Sequence, residues 1–166
     1  MSTQKLQGYQ ALNVVVSDNA NIPYTTVVAE GESSGVITVD ILNGNNDADF
    51  VTKRVLQGDI VYNTATGTAA TILNVIDEVT LSINRNIFGN AGGEAYVIYA
   101  ASAVTNYQNA NNGCVLYIGT SGDLTVDTIS GNEKVYFRQV PVGFFPVQVK
   151  KIWKTGTTAD TIVALW

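Results

Sequence analysis

The 166-residue chain contains no histidine, one cysteine, one methionine, three prolines and only 14% charged residues. Each shortage removes a class of chemistry. Without histidine there is no imidazole base, so Ser-His-Asp and Cys-His arrangements and every histidine-based metal set are excluded. The single thiol, Cys114, can form neither an intrachain disulfide nor a Cys-cluster zinc site. Opening an apolar run, it reads as a small buried core residue, and a chain without a disulfide framework is expected to fold in a reducing cytoplasm. No apolar run approaches the roughly 20 residues that span a bilayer. Residues 1–6 lack the apolar core of a secretory leader, so neither a membrane protein nor an exported one is expected. The net charge is −5, with 4 basic and 10 acidic side chains over residues 1–104 against 5 and 4 over 105–166. Phosphate backbones require clustered cations, so a dominant nucleic-acid surface is not expected either.

What is abundant is β-branched: 22 Val, 13 Ile and 18 Thr make 53 of the 166 residues. Such side chains favour the pleated, half-buried environment of a sheet. Twelve short runs separated by Gly, Asn, Asp and Ser clusters are expected as strands: 12–16, 24–29, 36–42, 59–63, 68–76, 79–83, 95–100, 114–119, 123–129, 134–140, 145–154 and 161–166. No segment has a helical period. This pattern predicts an all-β chain of sandwich or barrel type.

Polar, strand-breaking stretches at 43–49 and 89–93 read as loops, and 105–113 as a connector. The segment 35–103, with up to six strands in under 70 residues, is expected to be a small SH3-like β-barrel acting as a spacer or packing module.

Three local patterns follow from strand alternation. Leu124 and Val126 share one face while Thr125 and Asp127 share the other. In the run 145–154, Val147 and Val149 are in phase but Ile152 is not, so one extra residue around Lys150–Lys151, a β-bulge, would restore its burial. The run 161–166 is apolar on both faces and needs a cover on each side, from its own fold or from a neighbouring subunit.

No catalytic set emerges. Asp123 and Asp127 lie four residues apart on one strand face, about 13 Å at strand rise, beyond the roughly 5–10 Å of a glycosidase pair. Asp47 and Asp49 read as turn caps, and the alternating Asn43, Asn45, Asp47 and Asp49 lack the glutamate and glycine of a calcium loop. Neither enzyme activity, metal nor cofactor is expected. Arg138, Lys150, Lys151 and Lys154 form a candidate basic patch, either a solvated face or a contact for an acidic protein surface.

Residues 114–166 carry further blocks in a definite order: Cys114-Val-Leu-Tyr-Ile-Gly-Thr-Ser-Gly-Asp-Leu-Thr-Val126, then Val140-Pro-Val-Gly143, then Phe145-Pro-Val-Gln-Val-Lys-Lys-Ile-Trp-Lys-Thr-Gly-Thr-Thr-Ala159, and the ending Ile162-Val-Ala-Leu-Trp166. In this order and spacing the chain resembles the spike-base family of head-surface proteins of tailed phages and phage-like gene transfer agents. In that family a segment like Ser17–Pro23 lies close before the block like Tyr117–Gly122. Here roughly 90 residues intervene, which implies an insertion. Within the intervening stretch, 50–55 and 58–63 resemble a module recurring in virion structural proteins of aquatic phages.

The resemblance implies a jelly-roll-like sandwich domain of residues 1–34 plus 104–166, interrupted by the barrel of 35–103. It implies a virion structural protein, a capsid decoration (cement) protein or head-spike base, made in the host cytoplasm and sited on the outer capsid surface. Its expected partners are the major capsid protein, a fibre protein, and other copies in a trimer or pentamer; the arm 1–10 is expected to lie against another chain. Gly119, Gly122, Pro141 and Gly143 are then expected to set turns, and Trp153 and Trp166 to anchor packing. A carbohydrate-binding or receptor-binding tail component, using exposed Tyr and Trp beside Asn and Asp, is the alternative.

Overall fold

A computed structural model describes residues 10–35, 38–101 and 113–166. They form twelve β-strands and no helix: β1 (Ala11–Asn13), β2 (Val27–Glu32), β3 (Ile41–Asn43), β4 (Ile60–Asn63), β5 (Thr68–Val75), β6 (Thr80–Ile83), β7 (Ala95–Tyr99), β8 (Cys114–Thr120), β9 (Gly122–Thr128), β10 (Val135–Val140), β11 (Gly143–Ile152) and β12 (Asp160–Leu165). The chain is all-β, and every strand pairing is antiparallel. Each expected strand has a counterpart. The largest shift is in the third, which occupies Ile41–Asn43 because residues 39–40 turn, with Asp40 at φ 61°.

The chain divides into two compact units, residues 1–14 with 112–166, and residues 15–111. The first holds a six-stranded sheet in the order β1-β12-β8-β11-β9-β10. Strand alternation sends Cys114, Leu116 and Ile118 of β8, Ile162 and Ala164 of β12, and Leu124 and Val126 of β9 into the core. The expected bulge in β11 is present. Val149 pairs with Thr128 but Lys151 pairs with Asp127, so Lys150 is the extra residue, and Ile152 opposite Val126 is fully buried.

The second unit holds a six-stranded sheet in the order β2-β7-β4-β5-β6-β3. Its two edges meet at a bridge between Ser33 and Gly44. Ser34 N–H donates to Asn43 O at 2.8 Å and Asn45 N–H to Glu32 O at 3.0 Å, so the sheet closes on itself and leaves no free edge at that seam. Inward residues Leu42, Val61, Ala70, Ile72, Leu81, Tyr96 and Ile98 fill the ring together with Phe50 and Phe88 from loops. The outward residues Ile60, Tyr62 and Ala69 are buried as well, beneath a segment containing Val15 and Ala20. That segment is pinned by Ser17 Oγ donating to Ala69 O at 3.1 Å and Asn84 Nδ2 donating to Asn19 O at 2.7 Å.

The two units differ from the expected division at the first crossing. Val27–Glu32 pairs with Ala95–Tyr99 of the second unit, and only β1, opposite Val163–Leu165, joins the terminal sheet. The chain therefore leaves the first unit near residue 14, not near 34. The physical reason is the outer face of β4 and β5, whose apolar side chains recruit 15–22 as their cover. The arm 1–9, the strand start 36–37 and the connector 102–112 lie outside the described residues.

Candidate functional site

The outward side of β1, β12, β8 and the first half of β11 carries two rows of side chains. Asn13 stands opposite Val163, Val163 opposite Tyr117, and Tyr117 opposite Phe144. Ala11 stands opposite Leu165 and Leu165 opposite Val115. The Tyr117 and Phe144 rings meet edge to face at 5.6 Å between centroids, a favoured aromatic geometry. Phe144 is nevertheless 73% exposed and Tyr117 39%. None of these seven residues is charged. All nine ionisable side chains of residues 113–166, apart from tyrosine and cysteine, fall between Asp123 and Asp160. The two-sided apolar character of β12 is thus matched by a buried inner row, Ile162 and Ala164, and a half-covered outer row, Val163 and Leu165.

The expected basic patch is divided. The bulge turns Lys151 outward beside Asp127, where it is only 9% exposed. Its ammonium lies 3.7 Å from the centroid of the Trp153 ring, and the Lys134 ammonium lies 4.3 Å from the same ring. Trp153 Nε1 donates to Asp127 Oδ1 at 2.7 Å, and the Lys134 backbone N–H donates to that oxygen at 2.8 Å. Lys151 and Trp153 therefore belong to one packed cluster. Lys150 is half-buried at the bulge and Lys154 is exposed.

Arg138 is placed elsewhere, on the edge strand β10, with its guanidinium carbon 5.9 Å from the Tyr136 ring centroid. Tyr136 Oη donates to Asp123 Oδ2, and Gln139 N–H donates to Asp123 Oδ1 at 2.9 Å. These bonds, with Arg138 nearby, hold the Asp123 carboxyl below its ordinary range, and the same bond pushes the Tyr136 hydroxyl up. They also clamp a register shift between Phe137 and Val140, which blunts this edge of the sheet against further strand pairing.

Gly119 and Gly122 are not turn formers. They lie within β8 and β9, where neighbouring backbone passes too close for a side chain: a Cβ on Gly119 would stand 2.7 Å from Thr161 O, and one on Gly122 would stand 2.6 Å from the Thr158 carbonyl carbon. Gly143, at φ 133°, opens β11 after the bend at 141–142. Trp166 is half-buried and exchanges backbone bonds with Gln10.

Tyr117 and Phe144 are absent from the candidates drawn from sequence. A signal was available in the pair Phe144-Phe145: consecutive aromatics in a strand must face opposite sides, and the buried one is Phe145. Among the described residues no three His, Cys, Asp or Glu side chains are grouped to hold a metal ion, and no helix is long and apolar enough to cross a membrane. No protein-family model, curated protein or solved structure matches the chain.

Proposed function

We propose that the chain is a structural component of a virus particle, an oligomeric protein of the outer capsid surface that works by adhesion and turns over no substrate. The observation that carries this reading is the uncharged outward face around Tyr117 and Phe144, because a folded chain that leaves a phenylalanine 73% exposed beside a second aromatic ring has an apolar surface to be covered in an assembly. The blocks that carry the resemblance to phage spike-base proteins supply that face, since β12, β8 and β11 are neighbours in one sheet. The closed second unit adds bulk and negative charge, with ten acidic and three basic side chains over residues 15–101.

A subunit of this kind binds the assembled shell and not its separate parts, so it stabilises the assembled state by linkage. Repeated weak contacts then become tight through avidity. The test is to add the purified chain to particles that lack it. Co-sedimentation with the particles and restored resistance to heat or low salt are expected. A chain that stays in the supernatant at every concentration contradicts the reading.

The alternative of a carbohydrate-binding tail component draws on exposed Tyr117 and Tyr136. Glycan-array binding abolished by Tyr136→Ala would favour it.

A further inference from the structure

We infer that the uncharged face of β1, β12, β8 and β11 is a self-association surface, on which the same face of a second copy of this chain docks. The inference rests on the reading of the chain as an assembly component and names the partner that covers its apolar side.

Three observations select a second copy. The first is charge. The chain carries −5 overall, and residues 15–101 carry ten acidic against three basic side chains, so a contact made through that unit sets like charges against each other. β1, β8, residues 143–149 and residues 161–166 contain no Asp, Glu, Lys or Arg. Two copies meet there without burying a charge, and a charged partner would lose its hydration on this surface with nothing to pair it.

The second is composition. The face has an aromatic and β-branched centre, Tyr117, Phe144, Val163 and Val115, and the uncharged polar residues Asn13 and Gln148 are exposed on the same strands. A protein interface has this anatomy, an apolar core within a polar rim.

The third is size. Two rows across four strands measure about 14 Å by 7 Å at ordinary strand spacings. With their side chains they present on the order of 400 Å², about half of what each partner brings to a standard interface. A small apolar patch is best complemented by another like it, and a patch that is its own complement closes after two copies. The expected contact is therefore a twofold pair of moderate affinity, in place of the threefold or fivefold ring expected from sequence.

Sedimentation equilibrium of the full chain tests this without any particle, so its failure is separable from failure of shell binding. The mass is expected to rise with concentration from 17.7 kDa toward twice that value. Phe144→Gln and Tyr117→Gln, each checked for native circular dichroism, are expected to weaken the pair about tenfold or more, as loss of a central aromatic does. Leu73→Gln, at an exposed apolar position of the second unit, is expected to leave it unchanged. Raising salt from about 0.05 to about 0.5 M is expected to maintain or strengthen the pair, because screening relieves the repulsion between two negative chains. A single 17.7 kDa species up to about 1 mM overturns the inference. So does a pair that salt dissociates, or one that both folded aromatic variants leave intact.

Discussion

Trp153 and Asp127 share a hydrogen bond of 2.7 Å, from the indole N–H to Oδ1. It ties the end of β11 to the outward side of β9, and Asp127 is buried while doing so. The same carboxylate caps the Lys134 backbone N–H, and both Lys134 and Lys151 place their ammonium groups against the Trp153 ring. Replacing Asp127 by alanine leaves the indole N–H of Trp153 and the Lys134 backbone N–H without their acceptor, so Asp127→Ala is expected to destabilise the chain by about 2 kcal/mol or more. Asp127→Asn keeps one oxygen and is expected to cost less. Urea denaturation followed by Trp fluorescence measures both.

The bulge makes neighbouring lysines unequal. Lys150→Glu is expected to change stability by less than about 0.5 kcal/mol, because Lys150 is the extra residue of the ladder, opposite no residue of β9, and is only half-buried. Lys151→Glu sets a second carboxylate beside Asp127 at a nearly buried position and is expected to cost about 3 kcal/mol or more. Equal unfolding midpoints for the two variants would refute this account of the bulge.

Tyr96 lies at 1% exposure in the ring of the second unit, and its hydroxyl has no hydrogen-bond partner. Burial pushes its pKa up to about 12 from 10.0. Tyr96→Phe removes the unsatisfied group and is expected to raise stability by up to about 1 kcal/mol at neutral pH. The hydroxyl also fills the space at Gly31, where a Cβ would stand 2.8 Å from it, so Gly31→Ala should cost less in the Tyr96→Phe background. A folded-state pKa above the unfolded value means that the tyrosine's contribution is complete below pH 10 and lost as pH rises toward 12. Alkaline unfolding should accordingly shift upward in Tyr96→Phe.

Glu78 acts in the opposite direction. Its carboxylate accepts the N–H groups of Val51 and Thr52, each at 3.0 Å, and the Thr52 hydroxyl at 2.9 Å. The Thr52 backbone bond leads in holding its pKa below 4.5. Its stabilising effect is therefore complete above that value and disappears as pH falls through the lower, native one. Protection of the Val51 and Thr52 amides against exchange, relative to their intrinsic rates, is expected to fall selectively in acid, and in Glu78→Ala at neutral pH.

Twelve strands and their all-β class follow from β-branched content and turn residues, because these act locally. The bulge at Lys150 was also readable, since the parity of Ile152 against Val149 is a local fact. What depends on packing between distant segments was not. Residues 15–22 leave the terminal sheet because Ile60, Tyr62 and Ala69 need a cover, a requirement visible only once β4 and β5 are side by side. Gly119 and Gly122 look like turn residues in the sequence, but their role comes from backbone at 158–161 crossing close by. The Tyr117–Phe144 pair is likewise a register property of two strands 27 residues apart.

The place proposed for the chain is the outside of a capsid, and locating it on intact particles tests that proposal most directly. Under the proposed function, antibody or density labelling of assembled particles is expected to mark the head surface at repeated, symmetry-related positions. Label confined to the tail, or particles that contain none of the chain, would contradict the account.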